Sequence, residues 1–188
     1  MANLILNGST SGSVTLSSPA VSGTTTLTLP TTSGTVLTNG TNTNFPAGSI
    51  VQVVSSNITT NTTTTSTTYV DTAVSLAITP KSASNKVLIL ISSNLYVARN
   101  GVATSYGDIF FNIVRTSTEV NFARLAINYG VNTWSDYISQ SFISHLDSPA
   151  TTSSTTYKMQ IKSGQASVQV QSNVGNVPTT ITLIEVAA

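Results

Sequence analysis

Val70-Asp71-Thr72-Ala73-Val74-Ser75-Leu76-Ala77-Ile78, followed beyond Pro80 by Lys86-Val87-Leu88-Ile89-Leu90-Ile91-Ser92-Ser93-Asn94-Leu95-Tyr96-Val97-Ala98, decides how this chain folds. In the first run Val70, Thr72, Val74, Leu76 and Ile78 alternate with Asp71, Ala73, Ser75 and Ala77, the period of two that marks a half-buried strand. The second run is apolar on both faces, Val87, Ile89, Ile91, Leu95 and Val97 against Leu88, Leu90 and Tyr96, as a central strand requires. Asn100-Gly101 then offers a tight hairpin turn, because both residues tolerate positive φ. Working outward, further strands are expected at Asp108 to Arg115, near Val120 to Asn128, at Thr133 to Leu146, Thr156 to Lys162, Ser167 to Gln171 and Thr180 to Val186, with a polar turn at Thr116 to Thr118. No helical stripe interrupts them. Eight or nine strands punctuated by Gly, Pro, Asn and Ser predict an all-β fold, an antiparallel β-sandwich of jelly-roll type, over residues 46–188. The Thr-rich run Asn57 to Thr68 has β-propensity but no apolar face, so a loop or an exposed edge strand is expected there.

Ahead of the sandwich, residues 1–45 have a different grammar. Ser11-Gly12, Ser22-Gly23 and Ser33-Gly34 recur with a period of eleven, and Leu16 and Leu27, Pro19 and Pro30 keep the same register. Each unit holds a short alternating run, Val14-Thr15-Leu16, Leu27-Thr28-Leu29 or Val36-Leu37, closed by residues that fix or free the backbone at bends. So few apolar side chains return less than the conformational entropy that ordering the segment costs. The segment must therefore be disordered or gain order against other chains, as repeat units with an uncovered apolar face do. A flexible linker is the plain alternative, but it does not need Leu and Pro in fixed register. An intermolecular arm is the preferred reading.

Composition removes several functional classes. The chain has 188 residues, of which only 7% are charged, and its net charge is +1. Ser and Thr together supply about a third of it, so hydroxyls rather than ions keep the surface wet. Seven Lys and Arg without clustering do not form the stripe that neutralises phosphates, and nucleic acid is not an expected partner. The absence of cysteine excludes disulfides, thiolate nucleophiles and Cys-ligated zinc, while a single His leaves little for imidazole metal sites. The longest strongly apolar run, Val87 to Ile91, is far short of a membrane span, and no membrane partner is expected. Met1 to Thr10 lacks the basic start of a secretory signal, so synthesis and assembly in the cytoplasm are expected.

Chemistry-bearing residues are sparse. His145 and Asp147 share a face if their strand is continuous, and serines abound, but a catalytic triad also needs an oxyanion hole and an orienting carboxylate. The plainer reading of His145 is a residue near a strand end. The six carboxylates stand apart in sequence, and no glycine loop suited to phosphate occurs. The expectation is a protein without enzymatic activity, cofactor or metal. Tyr106, Tyr129, Trp134 and Tyr137 gather near predicted strand ends, where aromatic faces can stack on sugar rings or a protein receptor; packing into the sandwich core is the plainer use of most of them.

Two stretches carry a resemblance. The repeat from Ser11 to Thr38 resembles a module of structural proteins of tailed bacteriophages, particularly tail fibres and other virion-surface proteins. Phe45 to Val54, Thr68 to Ser82 and Asn85 to Leu90 are similar to the β-sandwich tip domains of such proteins. The resemblance covers roughly the first half of the chain. It implies a homotrimer of sandwiches carried on an N-terminal arm and displayed on a virion. Fibre and tailspike proteins are usually much longer, so the expected role is that of a capsid cement or decoration protein on the outer capsid surface, bound to the major capsid protein, with a tail-fibre or tailspike tip as the alternative. Under that reading Leu4, Ile5, Leu6, Val14, Leu16, Leu27, Leu29, Val36 and Leu37 are the candidate capsid and trimer contacts, and Tyr106, Tyr129, Trp134 and Tyr137 the candidate receptor or host-glycan contacts. A nearly uncharged, Thr-coated surface also lets many copies sit side by side with little mutual repulsion.

Overall fold

The computed structural model describes residues 4–17, 45–98, 106–128, 137–166 and 168–188, together with scattered positions between 21 and 33. The side chains of residues 106, 127, 128 and 176 lie outside this description. The chain divides into two compact units, Met1–Val36 and Leu37–Ala188.

In the first unit, β1 (Leu4–Asn7) pairs antiparallel with β2 (Ser13–Leu16). The Gly8 N–H donates to the Gly12 carbonyl at 2.8 Å, and Gly12 takes a φ of 76° that its missing Cβ permits. The expected strand Val14 to Leu16 is therefore present, and Leu4 to Leu6, which no repeat unit contains, supplies its partner. The other two expected runs, Leu27 to Leu29 and Val36-Leu37, lie outside the described residues.

The second unit holds β3 (Ile50–Ile58), β4 (Thr62–Thr64), β5 (Val70–Ile78), β6 (Lys86–Ala98), β7 (Tyr106–Arg115), β8 (Thr118–Asn128), β9 (Tyr137–Asp147), β10 (Thr155–Ser163), β11 (Gln169–Ser172) and β12 (Thr179–Val186). A 3-10 turn, Val174–Asn176, separates β11 from β12. Every pairing is antiparallel. One sheet has the order β5-β10-β7-β8. In the other, β9 lies along one edge of β6, while β12 and β11 share the opposite edge end to end, β12 on Lys86 to Ser92 and β11 on Leu95 to Ala98. β3 and β4 continue the same division, β3 on β12 and β4 on β11. With the interrupted strands counted as one each, the orders are β3-β12-β6-β9 and β5-β10-β7-β8. First and last strands are neighbours, and consecutive strands alternate between sheets except for the hairpin β7-β8: this is the winding of a jelly roll.

The expected elements fall where the alternation put them, with ends differing by a few residues. The strand expected at Thr133 to Leu146 runs from Tyr137 to Asp147 among the described residues, and the Asn100-Gly101 turn lies outside them. The Thr-rich run extends β3 and then forms β4 at the sheet edge. Between the sheets, Val74, Ile89, Ile91, Leu95, Ile109, Ile113, Tyr157, Met159, Ile161, Ile181 and Leu183 are buried in one cluster. β6 is central, as its two apolar faces predicted. Its inward set is buried and its outward set, Leu88, Leu90 and Tyr96, is half-buried.

The sandwich closes where the edge strands of the two sheets meet. On one side the Asn121 amide of β8 donates to the Ser144 carbonyl of β9 at 3.0 Å. On the other, Gln52 of β3 donates to the Thr79 carbonyl at 2.8 Å. At the break between β11 and β12, Asn173 adopts a left-handed φ of 61°. Its N–H donates to the Asn94 carbonyl at 3.0 Å, its side-chain amide donates to the Thr60 carbonyl at 2.6 Å, and its side-chain oxygen accepts from the Thr179 hydroxyl. This polar knot lets one edge of β6 serve two strands without leaving those backbone groups unpaired.

Candidate functional site

Four groups of residues bear on function, and each is positioned by the pairings above. The first is the hairpin of the N-terminal unit. Cross-strand partners Leu4 and Leu16, and Leu6 and Val14, stand side by side on one face, and Ile5 pairs with Thr15 on the other. All five apolar side chains are more than half exposed, from 54% at Leu6 to 62% at Val14. A two-stranded ribbon of four-residue strands is marginal in water, so this apolar face is covered only if another surface meets it. Leu27, Leu29, Val36 and Leu37, the remaining candidate contacts, lie outside the described residues.

The second group is the set of aromatics. Tyr137 opens β9 opposite Val97 and is 43% exposed. Tyr106 opens β7 opposite Asn128, at the end of the sandwich where β6 and β8 finish and β9 begins. The topology therefore brings the chain positions of Tyr106 and Tyr137 to one end of the sandwich. Tyr129 and Trp134 fall outside the described residues.

The third group is the pair His145 and Asp147. Both lie on the inward parity of β9, as expected, but the structure joins Asp147 to other partners. Its carboxylate accepts from the Arg115 guanidinium at 2.7 Å and from the Tyr157 hydroxyl at 2.7 Å. Burial and the adjacent carboxylate push the Tyr157 hydroxyl well above the ordinary tyrosine range. The triad ties the end of β9 to β7 and β10. Glu185 is likewise fully buried and accepts from the Lys81 N–H at 2.7 Å, the Asn85 amide at 2.6 Å and the Gln52 amide. Both carboxylates have structural partners. Among the described residues, no three His, Asp or Glu side chains group as metal ligands would.

The fourth group was not singled out by the sequence. The outer faces of the two sheets differ in charge. On β5-β10-β7-β8, Asp71 pairs with Lys158 at 2.7 Å, Arg124 with Asp108 at 2.8 Å, and Lys162 lies between the rings of Tyr69 and Phe110 at 4.6 and 5.1 Å from their centroids. The hydrogen bonds from Lys158 and Gln160 hold the Asp71 carboxyl below its ordinary range. The outer face of the other sheet carries, among the described residues, one charge at its border, Lys86, and otherwise hydroxyls, amides and apolar groups. Along its edge strand, Ile138, Phe142 and Leu146 are 56%, 63% and 48% exposed. Phe122, 63% exposed, stands beside Asn121 at the seam where β8 meets β9. The period of two gave β9 an apolar residue on each face, but only the topology shows which face is left uncovered.

No family model matches the chain, and no curated protein does. Among solved structures, the chain is similar to the protein of infectious bursal virus derived T=1 particles, at 13% identity over 73% of this chain and 36% of that one, with a TM-score of 0.33. A point mutant of the VP2 protein of infectious bursal disease virus, also in derived T=1 particles, gives 14% identity, the same coverage and a TM-score of 0.32. The chain thus spans about a third of the length of those polypeptides. Likeness of that degree carries no argument. The fold is established by the strand pairings, and the class they define is an all-β jelly-roll sandwich preceded by a short β-hairpin.

Proposed function

We propose that this is a non-enzymatic structural protein of a bacteriophage virion, a trimeric cement protein that binds the outer surface of the major capsid shell and stabilises it. The observation that carries the reading is the hairpin. Five apolar side chains, each more than half exposed on strands of four residues, make sense only against a larger surface. The jelly roll supports it as a scaffold known in capsid proteins, although the same scaffold also serves lectins and cupins, so the fold by itself does not choose. The shortage of charge supports it too: a +1 chain meets many copies of itself without a long-range penalty.

Removing residues 1 to 44 tests this. The expected result is a folded sandwich that no longer binds purified empty shells; retained binding contradicts the anchoring role. A receptor-binding tail-fibre or tailspike tip is the second reading, favoured by the exposed Tyr137 at a strand end. It predicts saturable binding of the protein to host cells or surface polysaccharide, reduced by Trp134→Ala. Turnover of such a polysaccharide, abolished by His145→Ala, would contradict both.

A further inference from the structure

We propose that the uncharged outer face of the β3-β12-β6-β9 sheet is where one copy of this chain packs against another, centred on Ile138, Phe142 and Leu146. This deepens the reading of the chain as a multicopy structural protein and rests on it. Three observations favour a second copy over a different partner.

The first is charge. Among the described residues this outer face carries Lys86 at its border and no other charge, whereas Asp71, Lys158, Asp108, Arg124 and Lys162 lie on the opposite sheet. Its described centre offers no charge to a partner recognised through charge, and a second copy meets little like charge there. The second is anatomy. The apolar residues on β9 alternate with Gln140 and Ser144 and are backed on β6 by half-buried Leu88 and Leu90, so apolar side chains and uncharged amide and hydroxyl groups share the face, as interfaces between copies do. The third is area. Four strands about 4.8 Å apart and roughly nine residues long at about 3.3 Å each present about 600 Å² in projection. Side-chain relief raises the accessible area above that figure, towards the roughly 800 Å² per partner that a stable interface buries.

Light scattering coupled to size exclusion tests the proposal on the full chain. The natural sequence should elute with the mass of three 19.5 kDa chains. Phe142→Glu, on a side chain already exposed, should give one chain's mass or raise the apparent dissociation constant at least tenfold, with an unchanged circular dichroism spectrum. Ser75→Glu, on the outer face of the other sheet, should leave the mass as it is. A monomeric natural sequence at tens of micromolar, or a Phe142→Glu variant as tightly associated as the parent, overturns the proposal. Intact association with no binding to shells would instead overturn the virion reading and leave this interface standing.

Discussion

Removing the Tyr157 hydroxyl is the cleanest change available at the scale of single residues. Tyr157→Phe keeps the buried ring and deletes one hydrogen bond to a carboxylate, so a loss of about 1.5 to 3 kcal/mol is expected. Chemical denaturation reads it as a lower midpoint with an unchanged slope. Glu185→Ala should cost more, about 2 to 4 kcal/mol, because the Lys81 N–H and the Asn85 amide both lose a buried acceptor. Asp71 is a surface case with a definite sign. Its carboxyl is held below the ordinary value of 3.8, so whatever it adds to stability is present above that pH and is lost as pH falls through the lower, folded-state value. An NMR titration should place its midpoint below 3.8, and Lys158→Met should move it back up. At this scale the sequence was a poor guide. Asp147 next to His145 on one face invited a catalytic reading, yet Arg115 and Tyr157, 32 and 10 residues away in the chain, are what the carboxylate engages.

At the scale of elements, alternation made most of the sandwich legible. Val70 to Ile78 and Lys86 to Ala98 declare their faces because burial selects every second side chain. What alternation cannot show is which strand lies beside which. The division of one β6 edge between β11 and β12 depends on Asn173, whose side chain and left-handed backbone both matter. Asn173→Gly keeps the backbone freedom and loses the hydrogen bonds, whereas Asn173→Ala loses both, so the alanine variant should be the less stable by about 1 kcal/mol or more in thermal unfolding. The exposed stripe on β9 was hidden for a related reason: Ile138, Phe142 and Leu146 look like core residues until the topology places β9 at an edge. In the arm, the eleven-residue register drew attention to Val14 and Leu16. It missed that Leu4 to Asn7 pairs with them, because pairing partners need not belong to the repeat. Leu4→Asp combined with Leu16→Asp should leave the sandwich folded and abolish shell binding.

At the scale of the whole molecule, the hairpin and the jelly roll each expose apolar side chains among the described residues. Those of the hairpin are proposed to meet the shell, and those of β9 to meet sister copies. Composition shows a chain with few charges, which the proposed crowding on a shell would suit. It could not show that, among the described residues, the ion pairs Asp71–Lys158 and Arg124–Asp108 share one outer face, which follows from the order in which β5, β10, β7 and β8 are laid side by side. A protein so built should be present wherever the shell surface repeats. Counting copies per purified particle by quantitative mass spectrometry against the major capsid protein tests that directly: hundreds of copies per virion are predicted, and a handful or a few tens would contradict the cement role.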